Sequence, residues 1–259
     1  MNITGLQCDI SWEKTKNNLK LLEKIFSDLE KTDLIVLPEM FATGFSMNVK
    51  KIAEPVFGDT FKWMQKMAIN LNTTIVGSIP TYEQNMFYNR LYVISSEKYR
   101  YYDKRHLFTM AGENNIYARG NTKLIFEVKK FKICPLICYD LRFPIWSRNK
   151  IQEGEYDYDI LIYIANWPSS RSSAWIDLLK ARAIENLTYV VGINRFGSDG
   201  NGIQYNGSSR FYNFLGERMD HFKNDMLCIQ QINLDKKKLY SFRAKFPVLN
   251  DADNFTLDY

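Results

Sequence analysis

The chain has 259 residues, of which 46% are hydrophobic and 24% are charged. A chain of this length buries roughly three quarters of the surface that its unfolded form exposes, so its core requires neither disulfides nor a metal ion. The composition excludes disordered and collagen-like proteins. The formal net charge is +5, and the lysines are scattered along the sequence. Because nucleic-acid-binding proteins cluster their basic residues, we expect no nucleic acid among the partners.

The amino-terminal segment has neither a basic leader nor a continuous apolar run, and no later stretch approaches the length of a membrane span. This pattern predicts a cytoplasmic protein without a membrane partner. The cysteines Cys8, Cys134, Cys138 and Cys228 are too few for a disulfide framework, and none forms a Cys-x-x-Cys pair. We therefore expect free thiols in a reducing compartment.

Short apolar runs alternate with longer amphipathic segments, which is typical of an α/β domain. The predicted strands, in chain order, are Ile3–Cys8, Leu34–Leu37, Thr74–Ser78, Leu91–Ser95, Tyr99–Asp103, Phe131–Ile137, Ile160–Ala165, Tyr189–Asn194 and Met226–Asn233. The predicted helices are Trp12–Leu29, Thr60–Leu71, Ile145–Glu153 and Ser172–Leu187. Several strands are apolar throughout, as expected for strands that are buried on both faces. No linker or repeat interrupts the pattern, so residues 1–259 are predicted to form one domain.

Three reactive side chains stand just beyond the ends of predicted strands: Glu39, Lys104 and Cys138. In α/β sheets, ligands bind in the crevice outside the carboxyl ends of the strands, so these strand ends can bring the three side chains to one pocket. A carboxylate can accept the proton of a neighbouring thiol, and a neighbouring ammonium lowers the thiol pKa. The trio therefore predicts that Cys138 attacks an amide with Glu39 as its base.

An amide carbonyl under attack gains negative charge on its oxygen, which a fixed cation and a backbone N–H stabilise. Lys104 and the backbone N–H of Tyr139 are the candidates for this role. Protonated Glu39 then returns its proton to the leaving ammonia and, once ionised again, activates the water that hydrolyses the thioester. Taken singly, Cys138 is also compatible with a buried apolar side chain, Glu39 with a cap and Lys104 with a solvated charge.

The competing nucleophilic arrangement is a Cys–His dyad, for which the sequence offers His106 and His221. His106 is close in sequence to the candidate lysine, whereas His221 is expected in an exposed turn. No residue can be assigned to orient a histidine, which disfavours the dyad. A metal site is not expected either, because the histidines are far apart in sequence and Cys134 and Cys138 lack zinc-ligand spacing. The glycine-rich segment 197–202 predicts a turn, because no helix pattern follows it, and we expect no cofactor.

Several segments of the sequence resemble the nitrilase superfamily of carbon–nitrogen hydrolases. They are Leu37–Phe41, Tyr102–Phe108, Cys138–Pro144, Ala165–Pro168, Ala181–Asn186 and Asn194–Gly197. Longer stretches, including Lys104–Glu113 and Cys138–Asn149, resemble the bacterial omega-amidase branch in particular. The likeness extends from end to end, and the motifs match in order and spacing.

The resemblance implies a four-layer α-β-β-α sandwich that pairs through its helical face into a homodimer. It also implies a Glu–Lys–Cys triad of Glu39, Lys104 and Cys138, with Glu113 supporting the charge arrangement near the substrate. The omega-amidase branch hydrolyses the terminal carboxamide of small dicarboxylate monoamides, such as 2-oxoglutaramate and 2-oxosuccinamate, to ammonia and the keto acid, often in connection with methionine salvage.

The residues near the candidate nucleophile indicate the substrate. True nitrilases carry Trp-Glu after the cysteine, where this chain has Tyr139 and Asp140, which favours an amide over a nitrile. Trp167 and Phe45 are apolar candidates for the substrate pocket. Arg142 is a candidate for binding a substrate carboxylate, with a structural ion pair as the alternative. Two other functions stay open: a carbamoyl-amide hydrolase with the same triad, and a catalytically silent binding protein.

Overall fold

A computed structural model describes residues 1–257 of the chain. Its strands are β1 (Asn2–Gln7), β2 (Leu34–Val36), β3 (Glu54–Pro55), β4 (Thr74–Glu83), β5 (Met86–Ile94), β6 (Tyr99–Asp103), β7 (Phe126–Val128), β8 (Phe131–Ile137), β9 (Ile151–Gln152), β10 (Glu155–Tyr156), β11 (Ile160–Ala165), β12 (Tyr189–Asn194), β13 (Phe196–Ser198), β14 (Gln204–Asn206), β15 (Arg210–Tyr212) and β16 (Cys228–Asn233). The α-helices are α1 (Thr15–Phe26), α2 (Val49–Ile52), α3 (Asp59–Leu71), α4 (Pro144–Ser147), α5 (Ser172–Glu185) and α6 (Lys236–Lys245). None of the helices within this part of the chain is long and apolar enough to cross a membrane.

Two mixed sheets form the centre of the molecule. The first has seven strands in the order β16-β1-β2-β4-β5-β6, with β3 paired to β4. The second has five strands in the order β15-β12-β11-β8-β7. Strands β1, β2 and β4 run parallel in the first sheet, and β8, β11 and β12 run parallel in the second. Parallel neighbours require crossover connections, which are usually helices that cover a face of the sheet.

Side chains of the central strands alternate between two layers of the core. Leu34 and Val36 belong to the cluster shared with the second sheet, whereas Ile35 and Leu37 belong to the cluster shared with α1 and α3. Successive side chains of a strand point to opposite faces, so two buried faces require a continuously apolar strand. Helix α5 covers the outer face of the second sheet and buries Trp175 there. The layers form the α-β-β-α sandwich that the resemblance to the nitrilase superfamily implies.

One predicted helix is wrong. The sequence predicts a helix over Ile145–Glu153, but α4 ends at Ser147 and the hairpin of β9 and β10 follows. Glu153 and Gly154 have φ values of 52° and 80°. Positive φ at both positions forms a tight hairpin turn and cannot continue a right-handed helix. This segment therefore forms a hairpin, although its apolar spacing is typical of a helix.

Other elements differ from the predicted bounds or were not predicted, among them β4, β5 and α6. The predicted strands Thr74–Ser78 and Leu91–Ser95 are the outer parts of one long hairpin, because β4 and β5 continue to a turn at Gln84 and Asn85. Helix α6 has few apolar residues and only Leu239 and Arg243 are buried, so its sequence carries no apolar stripe.

Candidate active site

Four strands end at the same edge of the two sheets and position the candidate residues there. Glu39 follows β2, Lys104 follows β6, Cys138 follows β8 and Asn166 follows β11. Strand β6 points in the direction of β2 and β4, because two antiparallel pairings through β5 relate it to β4. The carboxyl ends of all four strands therefore face one crevice. A single cavity is lined by Glu39, Lys104, Cys138 and Asn166.

Lys104 is fully buried between two carboxylates. Its Nζ lies 2.9 Å from Glu39 Oε1 and 2.9 Å from Glu113 Oε2, and none of the three side chains is exposed to solvent. Burial by itself disfavours the ammonium, but the negative charges of Glu113 and Glu39 outweigh burial and raise the pKa of Lys104. Lys104 is therefore a permanent cation in the wall of the cavity.

The two carboxylates are held in place by further donors. Burial raises the pKa of Glu113, Lys104 opposes that rise, and the charge of Glu39 adds to it. The backbone N–H of Phe108 donates to Glu113 Oε2 at 2.6 Å. Asn89 in β5 donates through Nδ2 to Glu39 Oε1 at 2.7 Å and to Glu113 Oε1 at 3.2 Å. Nothing in the sequence marks Asn89 as part of the site, because its role depends on two side chains that are distant along the chain.

Asn166 fixes Glu39 from the other side. Its backbone N–H donates to Glu39 Oε2 at 2.8 Å, and its Nδ2 donates to the backbone carbonyl of Glu39 at 2.5 Å. Among the sequence motifs, Asn166 has no assigned role. Its position directly after a strand is a signal that could have identified it, because the same position identifies Cys138.

Cys138 occupies a sharp turn between β8 and a 3₁₀ helix over Cys138–Arg142, with a φ of 43° that non-glycine residues rarely adopt. Its Sγ lies 3.9 Å from the backbone oxygen of Asn166. Burial and then the charge of Glu39 raise the pKa of the thiol well above its ordinary value, and Lys104 only partly opposes this rise. The lowered pKa that the sequence predicts is therefore wrong, because burial and the nearby carboxylates together outweigh the ammonium. Near neutral pH, Cys138 is therefore a protonated thiol.

Asp140 connects the segment that carries Cys138 to the segment that carries Lys104. Its Oδ2 accepts hydrogen bonds from Tyr102 Oη at 2.8 Å and from the backbone N–H of Ile137 at 3.0 Å. Its Oδ1 accepts a hydrogen bond from the backbone N–H of His106 at 2.9 Å and lies 2.8 Å from His106 Nδ1. His106 is thus bound to Asp140 and lines a separate surface cavity. This position argues against His106 as the base of a Cys–His dyad.

The cavity beside Cys138 has a volume of about 430 Å³, which is in the range of small-molecule sites. The predicted substrate contacts Phe45, Trp167 and Arg142 all line it. The guanidinium carbon of Arg142 lies 4.9 Å from the ring centroid of Trp167. In the part of the chain that the structure describes, no group of three or more histidine, cysteine, aspartate or glutamate side chains is arranged to hold a metal ion.

Known proteins resemble this chain along nearly its whole length. A profile of the carbon–nitrogen hydrolase family matches residues 2–242. The omega-amidase YafV of Escherichia coli is 41% identical over 260 residues, which cover 99% of this chain and 98% of that protein. A 2-oxoglutaramate amidase of Bacillus subtilis is 35% identical over 202 residues, which cover 76% of this chain and 77% of that protein. The crystal structure of a CN-hydrolase superfamily protein from Xanthomonas campestris, with an arsenic adduct in its active site, matches with a TM-score of 0.95 and 36% identity, covering 100% of this chain and 99% of that one.

Proposed function

Because the chain belongs to the carbon–nitrogen hydrolase family and is an amide-hydrolysing enzyme, we propose that it is an omega-amidase acting on small dicarboxylate monoamides such as 2-oxoglutaramate. The observation that carries this proposal is the buried cluster of Glu39, Lys104 and Glu113, of which Glu39 and Lys104 line the cavity beside Cys138. The activities named for the relatives from Escherichia coli and Bacillus subtilis support the choice of substrate.

In the proposed reaction, Sγ of Cys138 attacks the carbon of the terminal carboxamide while the thiol proton passes to Glu39. Because burial and the charge of Glu39 raise the pKa of Cys138, the attack requires a base that takes the thiol proton. Glu39 is suited to accept the proton, since its Oε2 takes a hydrogen bond from the backbone N–H of Asn166 and retains a further lone pair. Glu39 is the general base of this scheme.

The tetrahedral intermediate carries negative charge on the former carbonyl oxygen. The ammonium of Lys104 and the backbone N–H of Tyr139 stabilise that charge. Tyr139 is the second residue of a 3₁₀ helix, and amides in the first turn of a helix have no acceptor within it. These two donors form the proposed oxyanion site.

Collapse of the intermediate breaks the C–N bond as Glu39 returns its proton to the leaving ammonia, and a thioester stays on Cys138. A water molecule then attacks the thioester, with Glu39 again accepting a proton, and releases the free acid and the thiol. Glu113 has a distinct task in this cycle. When Glu39 is protonated, the carboxylate of Glu113 still neutralises Lys104, so the ammonium is never left buried without a counter-charge.

The remaining cavity residues bind the rest of the substrate. Phe45 and Trp167 contact its short carbon chain, and Arg142 binds its carboxylate at the end remote from the amide. The guanidinium of Arg142 is held against the ring of Trp167. Because the ring covers only one face of the guanidinium, the N–H groups at the edge of the guanidinium stay available for a carboxylate.

The proposed activity is tested by ammonia release from 2-oxoglutaramate, measured beside a carbamoyl amide and a simple nitrile. We expect rapid release from 2-oxoglutaramate by the wild-type protein and none by Cys138→Ala. Faster turnover of the carbamoyl amide would move the substrate assignment to that class. Ammonia from none of the three compounds would contradict the proposal.

We also propose that two copies of the chain pair through the helical layer on the second sheet. Ile184, Leu215 and Phe246 are 46%, 46% and 53% exposed there, although all three side chains are apolar. Light scattering should give a dimer for the wild type and a monomer for Ile184→Lys. The control Ile69→Lys makes the same change on α3, in the opposite helical layer, at a side chain that is 53% exposed. A monomeric wild type, or loss of the dimer in both variants, would contradict the proposed surface.

A further inference from the structure

The cavity beside Cys138 is lined by a second arginine, Arg171, at the end of the 3₁₀ helix Ser169–Arg171. Its guanidinium carbon lies 5.3 Å from the ring centroid of Phe108. Nothing in the sequence distinguishes this arginine from a surface cation. Its position in the cavity wall depends on the turn between β11 and α5.

The acidic side chains of the cavity are already occupied by other partners. Glu13 forms a 2.8 Å ion pair with Lys51. Asp199 accepts hydrogen bonds from Tyr205 Oη at 2.9 Å and from the backbone N–H groups of Asn201 and Ile203 at 2.8 Å and 3.0 Å. The charge of Glu13 is therefore neutralised by a cation, and the charge of Asp199 is stabilised by three hydrogen-bond donors.

The two arginines of the cavity have no such compensation. Within residues 1–257, neither Arg142 nor Arg171 forms an ion pair. Lys104, the remaining cation of the cavity wall, is paired with buried carboxylates. Two unpaired guanidinium groups in one small cavity repel each other, and a bound anion relieves that repulsion.

Trp167 connects the two arginines. Its Nε1 donates a hydrogen bond to the backbone carbonyl of Arg171 at 2.8 Å, and its ring lies under the guanidinium of Arg142 at 4.9 Å. Each guanidinium is thus held against an aromatic ring, which leaves its N–H groups available. A planar fork of N–H donors matches the geometry of a carboxylate.

We propose that Arg171 is a specificity-determining residue that binds the remote carboxylate of the substrate together with Arg142, so that the enzyme selects amides that carry an anionic group. The inference rests on the proposed function, since it concerns the same site and the same substrates. It adds a residue that selects for charge and takes no part in breaking the amide bond.

The test compares two substrates that differ only at the remote end. In 4-oxopentanamide a methyl group replaces the carboxylate of 2-oxoglutaramate, and the amide is unchanged. We expect Arg171→Met to lower kcat/KM for 2-oxoglutaramate by about 10- to 100-fold, mainly through KM, because a charge-assisted hydrogen bond is lost. The value for 4-oxopentanamide should change by less than about threefold, because the neutral compound never used that bond.

Two further variants sharpen the test. Arg171→Lys keeps the charge but loses the planar fork, so its preference for 2-oxoglutaramate should lie between those of the wild type and Arg171→Met. Arg119→Met removes one positive charge at an exposed position outside the cavity and should leave the preference unchanged. Both substrates are measured on one preparation of each variant. Any inactive protein therefore cancels in the ratio of the two kcat/KM values, which defines the preference.

An undiminished preference for 2-oxoglutaramate in Arg171→Met would overturn the assignment of Arg171. Equal losses on both substrates would also overturn it, because a residue that only supports the fold affects every substrate alike. Failure of the proposed function has a different signature. In that case the wild-type protein itself releases no ammonia from 2-oxoglutaramate or prefers the neutral amide.

Discussion

The Nζ of Lys104 and the Oε1 of Glu39 are 2.9 Å apart and fully buried, although 65 positions separate the two residues in the chain. Glu113 binds the same ammonium from another side. Two carboxylates therefore share one cation in the wall of the cavity, and the cluster keeps an ion pair when either carboxylate takes up a proton. The stability of this cluster and the acid–base chemistry that we propose for it both depend on this arrangement.

Replacing Lys104 should destabilise the fold. Lys104→Met leaves two buried carboxylates without a cation, and we expect a loss of about 3–5 kcal/mol in the free energy of unfolding at pH 7.5. Burial raises the pKa of Glu113 in the folded state, and Lys104 opposes that rise, so the pKa is higher still in folded Lys104→Met. As the pH falls, the folded variant therefore takes up a proton before the unfolded chain does, and before the folded wild type does. The deficit of Lys104→Met relative to the wild type should therefore shrink toward pH 5. Denaturant unfolding at both pH values measures it, and an equal deficit at both would contradict the predicted charge effect.

Removing Glu39, the proposed base, should slow alkylation of Cys138. Glu39→Gln removes a group that accepts the thiol proton and also removes a charge that raises the thiol pKa, and these two effects have opposite signs. We expect loss of the base to dominate. At pH 7, iodoacetamide should therefore react with Cys138 about tenfold more slowly in Glu39→Gln than in the wild type. The difference between the two rates should become smaller as the pH rises. Mass spectrometry of the Cys138 peptide gives the rate. Faster alkylation in Glu39→Gln would show that Glu39 acts only through its charge.

A comparison of Cys138→Ala with His106→Ala separates the two nucleophilic schemes. We expect Cys138→Ala to lower kcat about a thousandfold or more without changing the fold. His106→Ala keeps the backbone N–H that binds Asp140, so kcat should fall by no more than about threefold. Circular dichroism controls for folding, and comparable losses of kcat in both variants would favour a Cys–His dyad.

Asn89 should be intolerant of a negative charge. Asn89→Asp places a third carboxylate against Glu39 and Glu113, so kcat/KM should fall by about 100-fold or more at pH 8, because buried like charges repel. Protonation of the new carboxyl should restore part of the activity toward pH 6. The control Asn89→Ala loses the hydrogen-bond donor without adding a charge. Its activity relative to the wild type should therefore not recover toward pH 6. Identical pH profiles for the two variants would be the contrary result.

Much of the fold follows from local patterns in the sequence. The unbroken apolar run of Leu34 to Leu37 requires two buried faces, and it has them in the structure. The helix predicted over Ile145–Glu153 was wrong because two residues with positive φ, Glu153 and Gly154, favour a hairpin at that point. Local periodicity predicts an element well when no turn chemistry competes with it.

The sequence by itself determined which chemical groups follow the strand ends, and so it identified Glu39, Lys104 and Cys138 as candidates. Only the tertiary structure decided how these groups act on one another. The raised pKa of Cys138, the double hydrogen bond of Asn89 and the place of Arg171 in the cavity wall all depend on distances between residues that are far apart along the chain. Electrostatic and hydrogen-bond energies vary with those distances, and no spacing along the sequence specifies them.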